Sequence, residues 1–133
     1  MLAAREHSRE ELRRKLGKYH RDPELIEQVL SDLQSSNLQS DARFAEHFVE
    51  SRISKGQGPV RIRMELNERG VPGELIETAL EPYADEWLEL LTRVRNDKFG
   101  GEKPETGKLL GKQVRFLESR GFPGELIRVL LLD

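Results

Sequence analysis

The residues best suited to proton transfer or metal ligation in this chain are three histidines, His7, His20 and His47. They are scattered, and none stands at ligand spacing from another. There is no cysteine, which removes disulfides, thiolate chemistry and cysteine-ligated zinc. No serine has the strand–turn–helix setting of an elbow nucleophile. Asp and Glu are plentiful, but they fall on solvated helix faces, where pairs such as Arg61 and Glu65 are placed for i,i+4 contacts. These patterns predict neither an enzyme nor a bound cofactor or metal.

Chemistry toward phosphate is the remaining possibility, and three stretches bear on it. "GGEKPETGKLLGK", from Gly100 to Lys112, has the glycines and lysine of a phosphate loop. It has one residue too many between Gly101 and Gly107, Leu109 where a magnesium-binding hydroxyl belongs, and no strand before it. It reads as a glycine cap, a linker and a lysine-bearing helix. A helix, a glycine turn and a second helix also describes a helix-turn-helix DNA reader. Here the recognition helix would open on Glu74 or Glu125, and an acidic tip repels phosphate.

The third stretch, "RISKGQGPVRIR", is the strongest candidate. Arg52, Lys55, Arg61 and Arg63 surround one Gly-Pro turn with no acid between them. Bases at a helix C-terminus complement its dipole, which accounts for Arg52 and Lys55. Arg61 and Arg63 fall in the first turn of the next helix, where a base is slightly unfavourable, so they point to phosphate or an acidic protein surface. The expectation is one positive patch of these four. Lys108, Lys112 and Arg115 are the second choice. Arg13 and Arg14 lie in a basic N-terminal stretch, offset by Glu10 and Glu11.

The elements that must position these groups are nearly all helices. The chain has 133 residues, 35% charged and 36% hydrophobic with few aromatics, and a formal charge of -2. Those numbers suit thin, many-helix packing better than one large core. No apolar run approaches the roughly 20 residues of a membrane span, and the N-terminus lacks a signal peptide's apolar core, so a soluble cytoplasmic protein is expected. Ser8 with Glu11 forms a capping box, and Asp22-Pro23 opens the next helix. Ser40 or Asp41 caps a third helix, and Gly56-Gln57-Gly58-Pro59 breaks before a fourth. Val60–Leu66 alternates briefly, but its Gly-Pro start and Gly70 stop favour helix over strand. Further helices follow from Pro72-Gly73, through Tyr83 to about Phe99, from the lysine-bearing stretch, and in a last one carrying Leu126, Ile127, Leu130 and Leu131.

One unit is spelled twice. "RGVPGELIETAL" at Arg69–Leu80 and "RGFPGELIRVLL" at Arg120–Leu131 share eight of twelve residues. A fainter copy, "YHRDPELIEQVL", holds Glu24-Leu25-Ile26. Repeats of this length mean one supersecondary unit reused and stacked on its neighbours. The glycine of each Arg-Gly fits a left-handed helix cap, with Val71 or Phe122 folding back on the helix just ended. The fold expected is all-α, with tandem three-helix repeats in an elongated array. The units are 1–57, 58–101 and 102–133, the last with two helices.

"LAAREHSREELRRKL" at Leu2–Leu16, "DARFAEHFVESRISKGQGPVRIRMELNERGV" at Asp41–Val71 and "RFLESRGF" at Arg115–Phe122 closely resemble the RecX family. The resemblance touches all three units. It implies a curved stack of three-helix repeats that regulates the RecA recombinase. Such a protein would bind the RecA–single-stranded DNA filament in its helical groove. It would inhibit ATP hydrolysis, coprotease action and strand exchange, and so modulate recombination and repair. A monomer is expected. The family motif falls here on Arg43, Phe44, Gly58, Pro59, Arg61, Ile62, Arg63, Leu66, Arg69 and Gly70. Phe44, Ile62 and Leu66 read as core and the glycines and proline as turn-setting. Few residues precede the first motif and the last unit is short by one helix, which would leave both ends of the stack uncapped. The alternative is a free-standing single-stranded nucleic-acid binder, but the basic turn has no aromatic side chain to stack on bases.

Overall fold

The computed structural model describes residues 5–37 and 39–132. Among them are eight α-helices and no strand: α1 (Arg9–Gly17), α2 (Pro23–Ser35), α3 (Asp41–Ser54), α4 (Pro59–Glu68), α5 (Gly73–Leu80), α6 (Trp87–Phe99), α7 (Gly107–Ser119) and α8 (Gly124–Leu131). The boundaries follow local chemistry. Ser8 accepts from the Glu11 amide while Glu11 reaches back to the Ser8 amide, closing the box that starts α1. Asp22 caps α2 from the position before Pro23, Ser40 caps α3, and Thr106 caps α7.

The helix expected through Tyr83 is the one displaced boundary. Glu81–Tyr83 forms a 3₁₀ turn, the Glu86 amide donates to the Tyr83 carbonyl, and α6 begins at Trp87. Pro82 has no amide hydrogen to give to a continuing α-helix, so a tighter turn intervenes. Apolar stripes are also narrower than the sequence implies. Ile62 and Leu66 are buried one turn apart on α4, whereas Met64 on the other side is 56% exposed. Leu25 and Leu88 are exposed in the same way.

Helices α3, α4 and α5 pack together, as do α6, α7 and α8, and α1 pairs with α2. Two apolar cores result. One runs continuously from Phe44 and Val49 on α3 through Ile62, Leu66 and Leu91 to Leu117 and Ile127. The other is small and separate: Leu12, Ile26 and Leu30, flanked by Leu16 and Leu33. The accessible surface is 8607 Å² for 15.3 kDa. A compact protein of that mass exposes about 7,100 Å², so the stack is elongated.

The repeated Arg-Gly closes α4 and α7 in one geometry. Gly70 and Gly121 have φ of 79° and 96°. The Gly70 amide donates to Asn67 and that of Val71 to Leu66; the Gly121 and Phe122 amides donate to Glu118 and Leu117. This is the left-handed cap with its two returning hydrogen bonds, and Val71 and Phe122 are buried.

Candidate functional site

The basic turn is built by the end of α3 and the start of α4, and the structure separates its four cations. Arg52 Nε and Arg61 Nε converge on one carboxylate, 3.1 Å from Glu65 Oε2 and 2.9 Å from Oε1. Arg61 and Glu65 are the i,i+4 pair read from the sequence. The Arg52 guanidinium also lies 4.4 Å from the centre of the Phe48 ring, with that of Arg69 at 4.8 Å. Arg52 is thereby half-buried, with its charge shared between a carboxylate and a π face. Arg63 turns away from this cluster and forms two hydrogen bonds to Glu77 of α5, at 2.8 and 3.0 Å. The Arg63 guanidinium holds the Glu77 carboxyl below its ordinary range.

Lys55 is exposed and belongs to a different surface. It lines a groove with Arg93 and Lys98 of α6 and with Arg120 at the end of α7. Sequence reading missed those three because they lie far from Lys55 along the chain and only the packing of three helices gathers them.

The other candidates fall in two classes. Arg13 pairs with Glu10 and with Glu27 of α2, and Arg14 pairs with Glu10. The hydrogen bond from Arg13 keeps the Glu27 carboxyl below its usual range. Lys108, Lys112 and Arg115 form an exposed stripe on α7, and none enters an ion pair among the described residues.

His7 is buried against α1. The Lys15 ammonium, which can only donate, lies 3.1 Å from Nε2, so Nδ1 carries the proton toward the Arg5 carbonyl at 3.1 Å. Burial, then the nearby charges of Arg5 and Lys15, push its pKa below the ordinary value. Among the described residues no group of three or more His, Asp or Glu is placed to hold a metal ion. No described helix is long and apolar enough to cross a membrane.

Comparison with known proteins bears on this stack of paired arginines and glycine-capped turns. Three family models match in tandem: the first three-helix domain of RecX at residues 1–33, the second at 40–80 and the third at 84–131. The chain belongs to the RecX family. It is 44% identical over 131 residues to the regulatory protein RecX of Pseudomonas syringae pv. tomato, covering 98% of this chain and 84% of that one. It is 41% identical over 128 residues to that of Halorhodospira halophila, covering 96% and 80%. The crystal structure of RecX from Lactobacillus salivarius superposes with a TM-score of 0.81 over 97% of this chain and 86% of that one; at 21% identity this speaks to the fold. The second and third RecX models take in the two packing groups, α3–α5 and α6–α8, and each Arg-Gly turn lies inside one of them. In that division the last unit holds three helices.

Proposed function

We propose that this chain regulates a RecA recombinase by lying along the RecA–single-stranded DNA filament, in its helical groove. There it slows ATP hydrolysis, coprotease action and strand exchange, acting as a monomer in the cytoplasm. The observation that carries this reading is family membership along nearly the whole chain, with relatives named regulatory protein RecX. Two features support it. An elongated stack can lie along more of a helical partner than a sphere of the same mass. Arg61 and Arg63, which stay partly exposed beside Glu65 and Glu77, can each add a contact to phosphate or an acidic side chain without giving up that partner.

The test is ATP hydrolysis by RecA on single-stranded DNA, titrated with this chain. Inhibition at amounts below one chain per recombinase monomer supports the filament reading. Inhibition only when the chain can coat the DNA favours a free-standing single-stranded DNA binder. Arg61→Ala with Arg63→Ala is expected to weaken inhibition and its salt dependence, and Arg13→Ala with Arg14→Ala to do so less, because Arg13 is held by two carboxylates, Glu10 and Glu27, whereas Arg61 and Arg63 each meet one. Undiminished inhibition by a folded Arg61/Arg63 variant moves the contact to another face, with Lys108, Lys112 and Arg115 next in order.

A further inference from the structure

The groove that takes Lys55 away from the basic turn differs from the arginine clusters described above. Arg52, Arg61, Arg63, Arg13 and Arg14 all have carboxylate partners. Lys55, Arg93, Lys98 and Arg120 have none: no ion pair and no side-chain hydrogen bond among the described residues involves any of the four. The stripe on α7 is also unpaired, but it lies along one helix, whereas these four are gathered in a concave surface from three. One carboxylate, Asp97, shares the groove with them.

Helix dipoles do not account for this concentration of charge. The groove collects the C-terminal ends of α3, α6 and α7, and bases are favourable there. Each end carries about half a negative charge, so three ends and Asp97 leave an excess of about 1.5 positive charges. Two of the cations are also held in place. Lys98 Nζ lies 5.4 Å and Arg120 Cζ 5.2 Å from the centre of the Phe116 ring, and Phe99 packs edge-on against that ring. A cation resting on a ring loses less freedom when it meets an anion than one moving in water. With Lys98 and Arg120 over it, the ring positions charge and is not a platform for a base. That selects for backbone phosphates read without regard to sequence.

We propose that the groove between the end of α3 and the last turns of α6 and α7, carrying Lys55, Arg93, Lys98 and Arg120, binds the phosphates of single-stranded DNA directly. The proposal takes its ligand from the filament reading, in which single-stranded DNA lies beside the bound chain.

The experiment measures binding of a labelled oligothymidylate to the full chain across a salt series, beside RecA ATP hydrolysis. The test variant is Lys55→Gln with Arg93→Gln. Both side chains are exposed and neither has a carboxylate partner to strand, and folding is checked by circular dichroism. The variant is expected to weaken binding about tenfold at low salt. Log affinity against log salt should become shallower by about 1.4, since each lost phosphate contact on a single strand removes about 0.7. Lys108→Gln with Lys112→Gln removes the same charge elsewhere and is expected to weaken binding clearly less. Equal losses in both variants, undiminished binding by the groove variant, or no binding by the unaltered chain each overturn the proposal. Loss of binding to DNA-free RecA, with DNA binding kept, overturns it in favour of an acidic protein surface. If the unaltered chain binds DNA through the groove yet does not slow ATP hydrolysis, the groove stands and the filament reading falls. If it slows hydrolysis while the groove variant binds DNA normally, the reverse holds.

Discussion

The turns at Arg69-Gly70 and Arg120-Gly121 share a sequence and a left-handed cap, but each meets the start of a different helix, and the two meetings are made differently. At Gly121 the contact is backbone on backbone. Gly58 donates to the Arg120 carbonyl at 2.8 Å and Val60 to the Gly121 carbonyl at 2.9 Å. Gly58 offers no side chain to cap α4, so the α7–α8 turn satisfies two amides that α4 would otherwise leave free. At Gly70 the contact is made by side chains. Ser8 Oγ donates to the Arg69 carbonyl at 2.8 Å and Arg69 pairs with Glu11, while beside the turn the start of α3 adds an acceptor, Asp41 Oδ1, 2.8 Å from the Arg9 amide, and the Arg43–Glu6 pair. Here α1 already caps itself through its Ser8–Glu11 box. The first junction adjoins the continuous core of α3–α8; the second joins that core to the separate α1–α2 core by polar contacts. A repeat can therefore keep its turn while changing what docks there. A junction of part-buried polar contacts without shared apolar packing opens at lower free energy than one sealed by a shared core.

The largest effects should come from the cores. Leu66 and Leu30 are both fully buried, so Leu→Ala at either is expected to cost about 3–5 kcal/mol. Leu66→Ala should lower protection from hydrogen exchange throughout α3–α8, and Leu30→Ala only in α1–α2. Loss across the whole chain with Leu30→Ala would show one cooperative unit and break the comparison.

Next are the two glycines. A Cβ at Gly121 would lie 2.7 Å from the Arg61 backbone nitrogen, and at Gly70 2.5 Å from Glu10 Cβ with the nearest backbone atom at 3.9 Å. Backbone cannot give way as a side chain can. Gly121→Ala is expected to cost about 2–4 kcal/mol in urea unfolding, from positive φ plus overpacking, and Gly70→Ala about 1–2. Equal costs would mean the two junctions are equally rigid.

Ser8→Ala removes the cap of α1 and its bond to the Arg69 carbonyl. A loss of about 1–2 kcal/mol is expected, confined to exchange protection in α1–α2. Protection lost beyond residue 41 would extend the polar junction's influence into the larger core.

The smallest effect is on pH. His7 is held below its unfolded value of about 6.5, so the unfolded chain binds the proton more readily. The stability it contributes is present above pH 6.5 and is lost as pH falls through the interval down to its folded pKa. Protection factors in α1–α2, which are corrected for the slower intrinsic exchange at low pH, should therefore fall on acidification below about 6.5, with those in α3–α8 unchanged. His7→Gln should flatten that response. A response shared by both regions would assign it to another group.

The sequence by itself determined most features set by neighbours within one helical turn, the 3₁₀ turn at Pro82 being an exception. The Ser8–Glu11 box, the Asp22-Pro23 start, the left-handed glycines and the helix of Pro59–Glu68 are decided by nearby backbone amides and carbonyls, which residue types and spacing report directly. It also showed that one unit is reused. Only the tertiary structure decided what those units meet. That Gly121 must also admit the start of α4, that Arg52 and Arg61 share Glu65 while Arg63 turns to Glu77, and that Lys55 joins Arg93, Lys98 and Arg120 all depend on helix orientation. Distant stretches carry no mark of which of their faces will converge. A charge read along the chain is a count, whereas a charge on the surface is what remains after the fold has brought its partners within reach.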